Sequence, residues 1–98
     1  MGGNLYFIAP AKKASWIAEV EELGFVVEDL SDRMTESDRK AFVFIGKLKN
    51  GTTERFIQLE PLESGYVLAV RFAGKNDPDF LKKTLGARFP NHRFETKQ

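Results

Sequence analysis

Apolar and polar side chains alternate along residues 40–73, KAFVFIGKLKNGTTERFIQLEPLESGYVLAVRFA, and this alternation predicts three consecutive antiparallel strands. Asn50 and Gly51 lie between the first two strands, and both accept the positive φ of a two-residue type I′ turn. A loop at these two residues pairs Phe44 with Ile57. The sequence therefore predicts a β-hairpin at the centre of the chain.

Residues 61–64, PLES, are a suitable second turn, and closing the chain there places Leu68 opposite Ile57. A slip of one residue in either hairpin would move the apolar side chains to the other face. Because the two turns give one consistent apolar face, we expect that face to form the core. Its predicted members are Phe42, Phe44, Leu48, Ile57, Leu59, Tyr66, Leu68, Val70 and Phe72.

Arg55 is a charged residue that this register places on the apolar face, opposite Gly46. A cation in that position must reach past the end of the sheet or meet a carboxylate. Arg55 is therefore the first candidate for a buried ion pair.

The opposite face of the predicted sheet carries four large apolar side chains: Val43, Ile45, Phe56 and Val67. Apolar side chains on a face that is otherwise wet need a cover or a partner. On the same face Glu54 is expected between Lys47 and Arg71, so that these charges neutralise one another. This favours a solvated sheet face over a phosphate site.

The segment before the hairpin predicts a β-α-β unit. Residues 4–9, NLYFIA, form a short apolar strand, and residues 25–30, FVVEDL, form a second one. Between them, residues 11–23 repeat apolar positions at helical spacing, with Trp16 on the core side. Such a unit usually pairs its two strands in parallel through a right-handed crossover.

Residues 31–39, SDRMTESDR, contain possible caps at Ser31, Asp32, Thr35 and Ser37 that allow one helical turn, but the segment favours a polar surface loop. Asp77 is a suitable N-cap for a second helix, with Pro78 at its first position. The tail at residues 92–96, HRFET, can add a last strand with Phe94 pointing inward.

The resulting order is β-α-β-β-β-β-α-β, which predicts an α+β fold. We expect a two-layer sandwich in which two helices pack on one face of a mostly antiparallel sheet. At 98 residues the chain is expected to form a single domain, residues 1–98, with a self-sufficient core.

Cysteine is absent from the chain, which removes disulfides, cysteine zinc sites and thiol nucleophiles. The sequence holds no apolar stretch long enough for a membrane span and no secretory signal pattern. We therefore expect a soluble protein without membrane contact, compatible with a cytoplasmic location.

Charge is segregated along the chain although its net value is only +1. Residues 19–38 contain eight acidic residues against Arg33 alone, a net charge of −7. Residues 64–98 contain seven basic and three acidic residues, a net charge of +4. The acidic segment and the basic segment therefore suit different partners.

Catalysis is not indicated by the side chains. His92 is the only histidine, and the sequence shows no nucleophile-base pair or metal-ligand spacing. We expect no enzyme activity, cofactor or metal. The run from Lys40 to Phe44 is similar to the basic-aromatic strand of RNA-recognition domains, but a hairpin follows it instead of a helix, and Phe42 and Phe44 are assigned to the core.

The leading hypothesis is a non-enzymatic binding protein that inhibits or neutralises a basic protein partner. Small domains without chemistry of their own and with an acidic surface resemble immunity proteins and phage-encoded inhibitors in surface type only. The expected contact residues are Glu19, Glu22, Glu28, Asp29, Asp32, Glu36 and Asp38.

Two alternatives stay open. One is a nucleic-acid-binding module that uses the basic second helix and tail. The other is a homodimer formed through the apolar group on the outer sheet face or through a strand edge. The candidate nucleic-acid contacts are Lys75, Lys82, Lys83, Arg88, Arg93 and Lys97.

Overall fold

Six strands and three α-helices form the protein in this computed structural model, which describes residues 3–9, 13–62, 65–72, 74–89 and 92–93. The helices are α1 (Lys13–Glu22), α2 (Glu36–Ala41) and α3 (Asp77–Arg88), and a short 3₁₀ helix spans Ser31–Arg33. The strands are β1 (Asn4–Ala9), β2 (Val26–Asp29), β3 (Phe44–Asn50), β4 (Thr53–Leu62), β5 (Gly65–Arg71) and β6 (His92–Arg93).

All neighbouring strands are antiparallel, in the spatial order β2-β3-β4-β5-β1-β6. The predicted parallel pairing of β1 with β2 is therefore wrong. These strands point the same way but stand apart, because β3, β4 and β5 form a meander that lies between them. β2 extends one edge of the meander, and β1 pairs with β5 at the other edge.

The core lies on one face of the sheet, under α1 and α3. Trp16 and Val20 from α1 and Leu81 and Leu85 from α3 join a single cluster with the strand residues. This confirms the predicted α+β two-layer sandwich. The strand members of the cluster are Leu5, Phe7, Phe44, Leu48, Ile57, Leu59, Leu68 and Val70, and Tyr66 and Phe72 pack against it.

The register of the first hairpin differs from the prediction by two residues. Asn50 pairs with Thr53, so the loop consists of Gly51 and Thr52. Gly51 has a φ of 60°, whereas Thr52 does not have a positive φ. A type I′ turn needs positive φ at both loop residues, while a type II′ turn needs it only at the first. The glycine therefore takes the first loop position and not the second.

The second hairpin is also shifted by two residues. Leu59 pairs with Leu68, and Pro61 and Leu62 belong to β4 instead of a turn. The other two residues of the predicted turn, 63 and 64, lie outside the described residues. Because side chains in a strand repeat every two residues, a shift of two preserves the predicted apolar face.

The connection between β2 and β3 is helical, so the predicted polar loop is wrong. Thr35 begins α2 with a capping box: its Oγ1 accepts a hydrogen bond from Asp38 N (3.1 Å), and Asp38 Oδ2 accepts one from Thr35 N (3.0 Å). Phe42 follows α2 and β3 begins only at Phe44. Phe42 is therefore half-buried outside the core cluster, contrary to its predicted place on the core face.

Helix α3 begins one residue earlier than predicted. Asn76 precedes its first turn, Asp77 is the first helical residue and Pro78 the second. Asp77 does not act as the N-cap, because its carboxylate binds Arg55. Phe94, predicted to point inward from a last strand, lies outside the described residues.

Gly46 lies where β2 and β3 meet beneath the ring of Phe44. A Cβ added to Gly46 would overlap the backbone oxygen of Glu28 and would lie 2.9 Å from two ring carbons of Phe44. The Phe44 ring is itself fixed, because it packs against Trp16 with ring centroids 5.3 Å apart. Only glycine therefore allows this packing.

We predict that Gly46→Ala lowers the free energy of unfolding by about 1–3 kcal/mol, the usual cost of overpacking. Urea unfolding followed by the fluorescence of Trp16, the only tryptophan, measures the change. Gly74→Ala is the matched control, because a Cβ there meets nothing within 4 Å. Equal stability of the two variants would contradict the prediction.

Candidate functional site

The outer face of the sheet, which points away from α1 and α3, carries exposed apolar side chains. Phe56 is 60% exposed and Val43 is 42% exposed, while Ile45 is half-buried. Val67 is buried although it lies on the same face. The predicted apolar group is therefore present, and Phe56 is its most prominent member.

Two hollows flank the side chain of Phe56. The larger has a volume of about 360 Å³ and reaches from Phe56 to Ile45, Phe42 and the 3₁₀ helix. The smaller, of about 110 Å³, lies on the side of β5. The full lining of the larger hollow is Leu30, Arg33, Asp38, Phe42, Ile45, Gly46, Phe56, Ile57 and Gln58.

Sequence reasoning missed two of the residues that form the larger hollow, Leu30 and Phe42. The sequence pattern places Leu30 at the end of the strand over residues 25–30 and Phe42 in the first strand of the meander. Their place depends on the helical connection, which carries Arg33 and Asp38 to the rim of the hollow. The capping pattern at Thr35 was the one sequence signal for that connection.

Ion pairs cross the outer face at its β2 side. Lys47 Nζ lies 3.2 Å from Glu54 Oε1, and Lys49 Nζ bridges Glu28 and, at 3.8 Å, Glu54. The predicted contact of Glu54 with Lys47 is confirmed, whereas the predicted contact with Arg71 is wrong. The shifted register puts Lys49 opposite Glu54 instead.

The hydrogen bond from the Lys49 ammonium lowers the pKa of the Glu28 carboxyl, and the same contact raises the pKa of Lys49. Glu28 is thus a paired acid on the outer face. Its charge is balanced within the protein.

Glu19 and Glu22 lie on α1 and both face Arg88, in the last turn of α3. Arg88 Nη1 donates hydrogen bonds to Glu19 Oε2 (3.0 Å) and Glu22 Oε2 (2.8 Å). These contacts raise the pKa of Arg88. These two contacts join α1 to α3, and the two carboxylates share the guanidinium of Arg88.

The remaining four predicted acids lie at the end of β2 and along the helical connection from β2 to β3. Asp32 and Glu36 are exposed. Asp29 Oδ1 accepts a hydrogen bond from Ser31 N (2.8 Å), and Asp38 belongs to the capping box. The seven predicted contact residues therefore form three groups, and this acidic connection, Asp29, Asp32, Glu36 and Asp38, is one of them.

The alternative basic set is divided as well. Arg88 is engaged by the two glutamates of α1, whereas Lys75, Lys82 and Lys83 are exposed. Arg93 belongs to β6, and Lys97 lies outside the described residues.

Arg55 lies on the core face opposite Leu48, and not opposite Gly46 as predicted, and is only 4% exposed. It meets a carboxylate, as its position requires. Its Nε donates to Asp77 Oδ2 and its Nη2 donates to Asp77 Oδ1, each at 2.7 Å. Phe25 and Phe80 cover the guanidinium, with ring centroids 5.8 and 5.4 Å from Cζ. This buried ion pair fixes the start of α3 to β4.

Within the described part of the chain, no group of three or more His, Cys, Asp or Glu side chains could hold a metal ion. No helix in that part is long and apolar enough to cross a membrane. The surface features that the described residues offer are the outer face with its hollows, the acidic connection and the exposed lysines of α3.

We predict that Asp77→Asn lowers the free energy of unfolding by about 3–5 kcal/mol, because it leaves the buried charge of Arg55 without its carboxylate. Asp79→Asn, an exposed acid in the same helical turn, is the control and should have a small effect. The double variant Arg55→Met with Asp77→Asn should lose less than the two single variants together. Additive losses in urea unfolding would show that the two side chains are not coupled.

We also predict that Lys49→Met raises the pKa of Glu28, because it removes the hydrogen bond that lowers it. Since the folded-state pKa is depressed, the pair stabilises the protein above the unfolded pKa of Glu28, and this effect is lost as pH falls through the folded pKa. NMR titration of the Glu28 carboxyl carbon measures the shift. Lys83→Met, on α3, should leave the Glu28 titration unchanged.

Comparison with known proteins completes the description of the site. Neither protein-family models nor curated proteins nor solved structures give a match to this chain.

Proposed function

We propose that this chain is a non-enzymatic binding protein that inhibits or neutralises a protein partner with a basic surface. The contact is made by the acidic connection, and the protein acts in a reducing compartment such as the cytoplasm, which suits a chain without cysteine. One observation carries the proposal: Asp32 and Glu36 lie exposed on that connection, whereas Glu19, Glu22 and Glu28 are engaged in ion pairs within the protein.

Ion pairs within the protein engage the other candidate acids. Glu19 and Glu22 share Arg88, and Glu28 pairs with Lys49. Residues 32–38 contain three acids against Arg33, a net charge of −2. Backbone N–H groups donate hydrogen bonds to Asp29 and Asp38 and orient these two carboxylates.

The order of charges along α2 also supports a contact through the acidic connection. Glu36 and Asp38 occupy the first turn of α2, and Arg39 and Lys40 occupy its last turn. This order complements the helix dipole, so the negative charge is held at the end that adjoins the 3₁₀ helix. A surface of one sign steers an oppositely charged partner and raises the association rate.

The non-catalytic part of the proposal rests on the side chains available. A general acid-base mechanism at neutral pH most often uses histidine, and His92 is the only one. A protein of this kind acts by covering a surface of its partner. The basic, nucleic-acid-binding grooves of nucleic-acid-processing proteins are surfaces of the required sign.

We predict that Glu36→Lys weakens partner binding and lowers its dependence on salt, because it removes a negative charge from the contact. The partner is captured from the native host with the immobilised protein, and its affinity is then measured by calorimetry at several salt concentrations. Glu21→Lys is the control for net charge, since it reverses an exposed glutamate in the last turn of α1, outside the acidic connection.

Equal losses for Glu36→Lys and Glu21→Lys would show that net charge matters and the acidic connection does not, which would contradict the proposal. The nucleic-acid alternative is tested with labelled RNA and DNA at low salt. Binding that weakens as salt rises and is lost in Lys82→Glu with Lys83→Glu would favour that alternative instead.

A further inference from the structure

In a two-fold homodimer both copies present the same surface, so that surface must be complementary to itself, and a projection beside a matching recess provides that complementarity. The outer face meets this condition. Phe56 projects from β4, and the larger hollow lies directly beside it. We propose that the outer face is the interface of a two-fold homodimer in which Phe56 of each copy enters the larger hollow of the other.

The chemistry of the hollow suits an aromatic ring. Leu30, Phe42 and Ile45 line it, and its volume of about 360 Å³ is large enough for a benzyl group. Insertion would bury Phe56, which is otherwise among the most exposed large apolar side chains described. Aromatic side chains that enter such pockets are the usual centres of binding energy in protein interfaces.

The charges around the projection and around the recess are complementary. Lys47 Nζ lies 5.5 Å from the centre of the Phe56 ring and 3.2 Å from Glu54, so both side chains accompany the ring. The rim of the hollow carries Arg33 and Asp38. In the dimer Lys47 can meet Asp38 of the second copy and Glu54 can meet its Arg33, and the two-fold axis repeats each contact.

The size of the face limits the area that the dimer can bury. Six strands span five spacings, so the face is about 24 Å wide, and strands of about six residues make it about 20 Å long. The flat area of about 480 Å² per copy is below the ~800 Å² of a standard interface. We therefore expect a weak dimer that dissociates on dilution.

This inference goes beyond the proposed function and does not depend on it. The dimer rests on Phe56 and the floor of the hollow, with Asp38 at the rim. The proposed contact with a basic partner shares Asp38 but rests otherwise on Asp32 and Glu36 at the surface of the connection. The variants that test the two are different, so one can fail while the other stands.

The first test measures the molar mass of the full chain by sedimentation equilibrium between about 10 µM and about 1 mM, the range in which an interface of this size associates. The mass should rise from one copy to two. Phe56→Glu should raise the dissociation constant by about 30-fold or more. Ala18→Glu, which adds the same charge to the exposed side of α1, should leave it unchanged.

Trp16 fluorescence and urea unfolding check that each variant is folded. If Phe56→Glu fails to fold, Phe56→Thr takes its place, because threonine suits a strand and removes the ring. A mass of one copy throughout the concentration range, or a dimer that Phe56→Glu and Phe56→Thr both leave intact, would overturn the inference.

The second test locates the ring. Isotope-filtered NMR on a mixture of ¹³C-labelled and unlabelled chains detects only contacts between copies. Cross-peaks should join the Phe56 ring of an unlabelled copy to methyl groups of Leu30 and Ile45 in a labelled one. A dimer without these cross-peaks would show that the copies associate through another surface and would overturn the inference.

Discussion

The buried guanidinium of Arg55 sets the constraint on which the rest of the structure depends. A cation on the core face of the sheet is tolerated only with a carboxylate in good geometry. Asp77 supplies it through two hydrogen bonds of 2.7 Å, and Phe25 and Phe80 cover what remains. The start of α3, the end of the α1–β2 link and the middle of β4 are thereby held together at one point.

The two opposite faces of the sheet have different roles. The inner face binds both helices, and its single charged group is matched by Asp77 within the described residues. The outer face and the acidic connection beside it remain for partners. Phe56, with a hollow on either side, gives that surface its shape, and the connection gives it its charge.

The sequence predicted the faces of the sheet better than its pairing. Strand periodicity assigns Ile57 and Leu68 to the core in any register that differs by two residues. The fold class was therefore predicted correctly although both hairpins are shifted. The turn type was not predictable from Asn50 and Gly51, because type I′ and type II′ loops both accept glycine. The position of β1 could not be predicted, because it depends on which edge strand of the meander is left without a partner. Tertiary packing decides that, not local sequence.

The candidate site was predicted in part for the same reason. Arg55 could be identified, because a charge on an apolar face needs a partner whatever the register. The grouping of the acids could not, since Glu19 and Glu22 are separated from Arg88 by more than sixty residues of chain and meet it only when α1 and α3 pack together. The larger hollow likewise depends on the helical connection that brings Leu30 and Phe42 to the sheet.

The position of β1 has a consequence for synthesis of the protein. Leu5 and Phe7 are made early, yet they pair with Val70 and Leu68, about sixty residues later. At about 5–20 residues per second, the ribosome needs roughly 3–12 seconds to complete β5. During that interval the pairing partner of β1 does not yet exist, so the apolar side chains of Leu5 and Phe7 can be buried only after β5 is made.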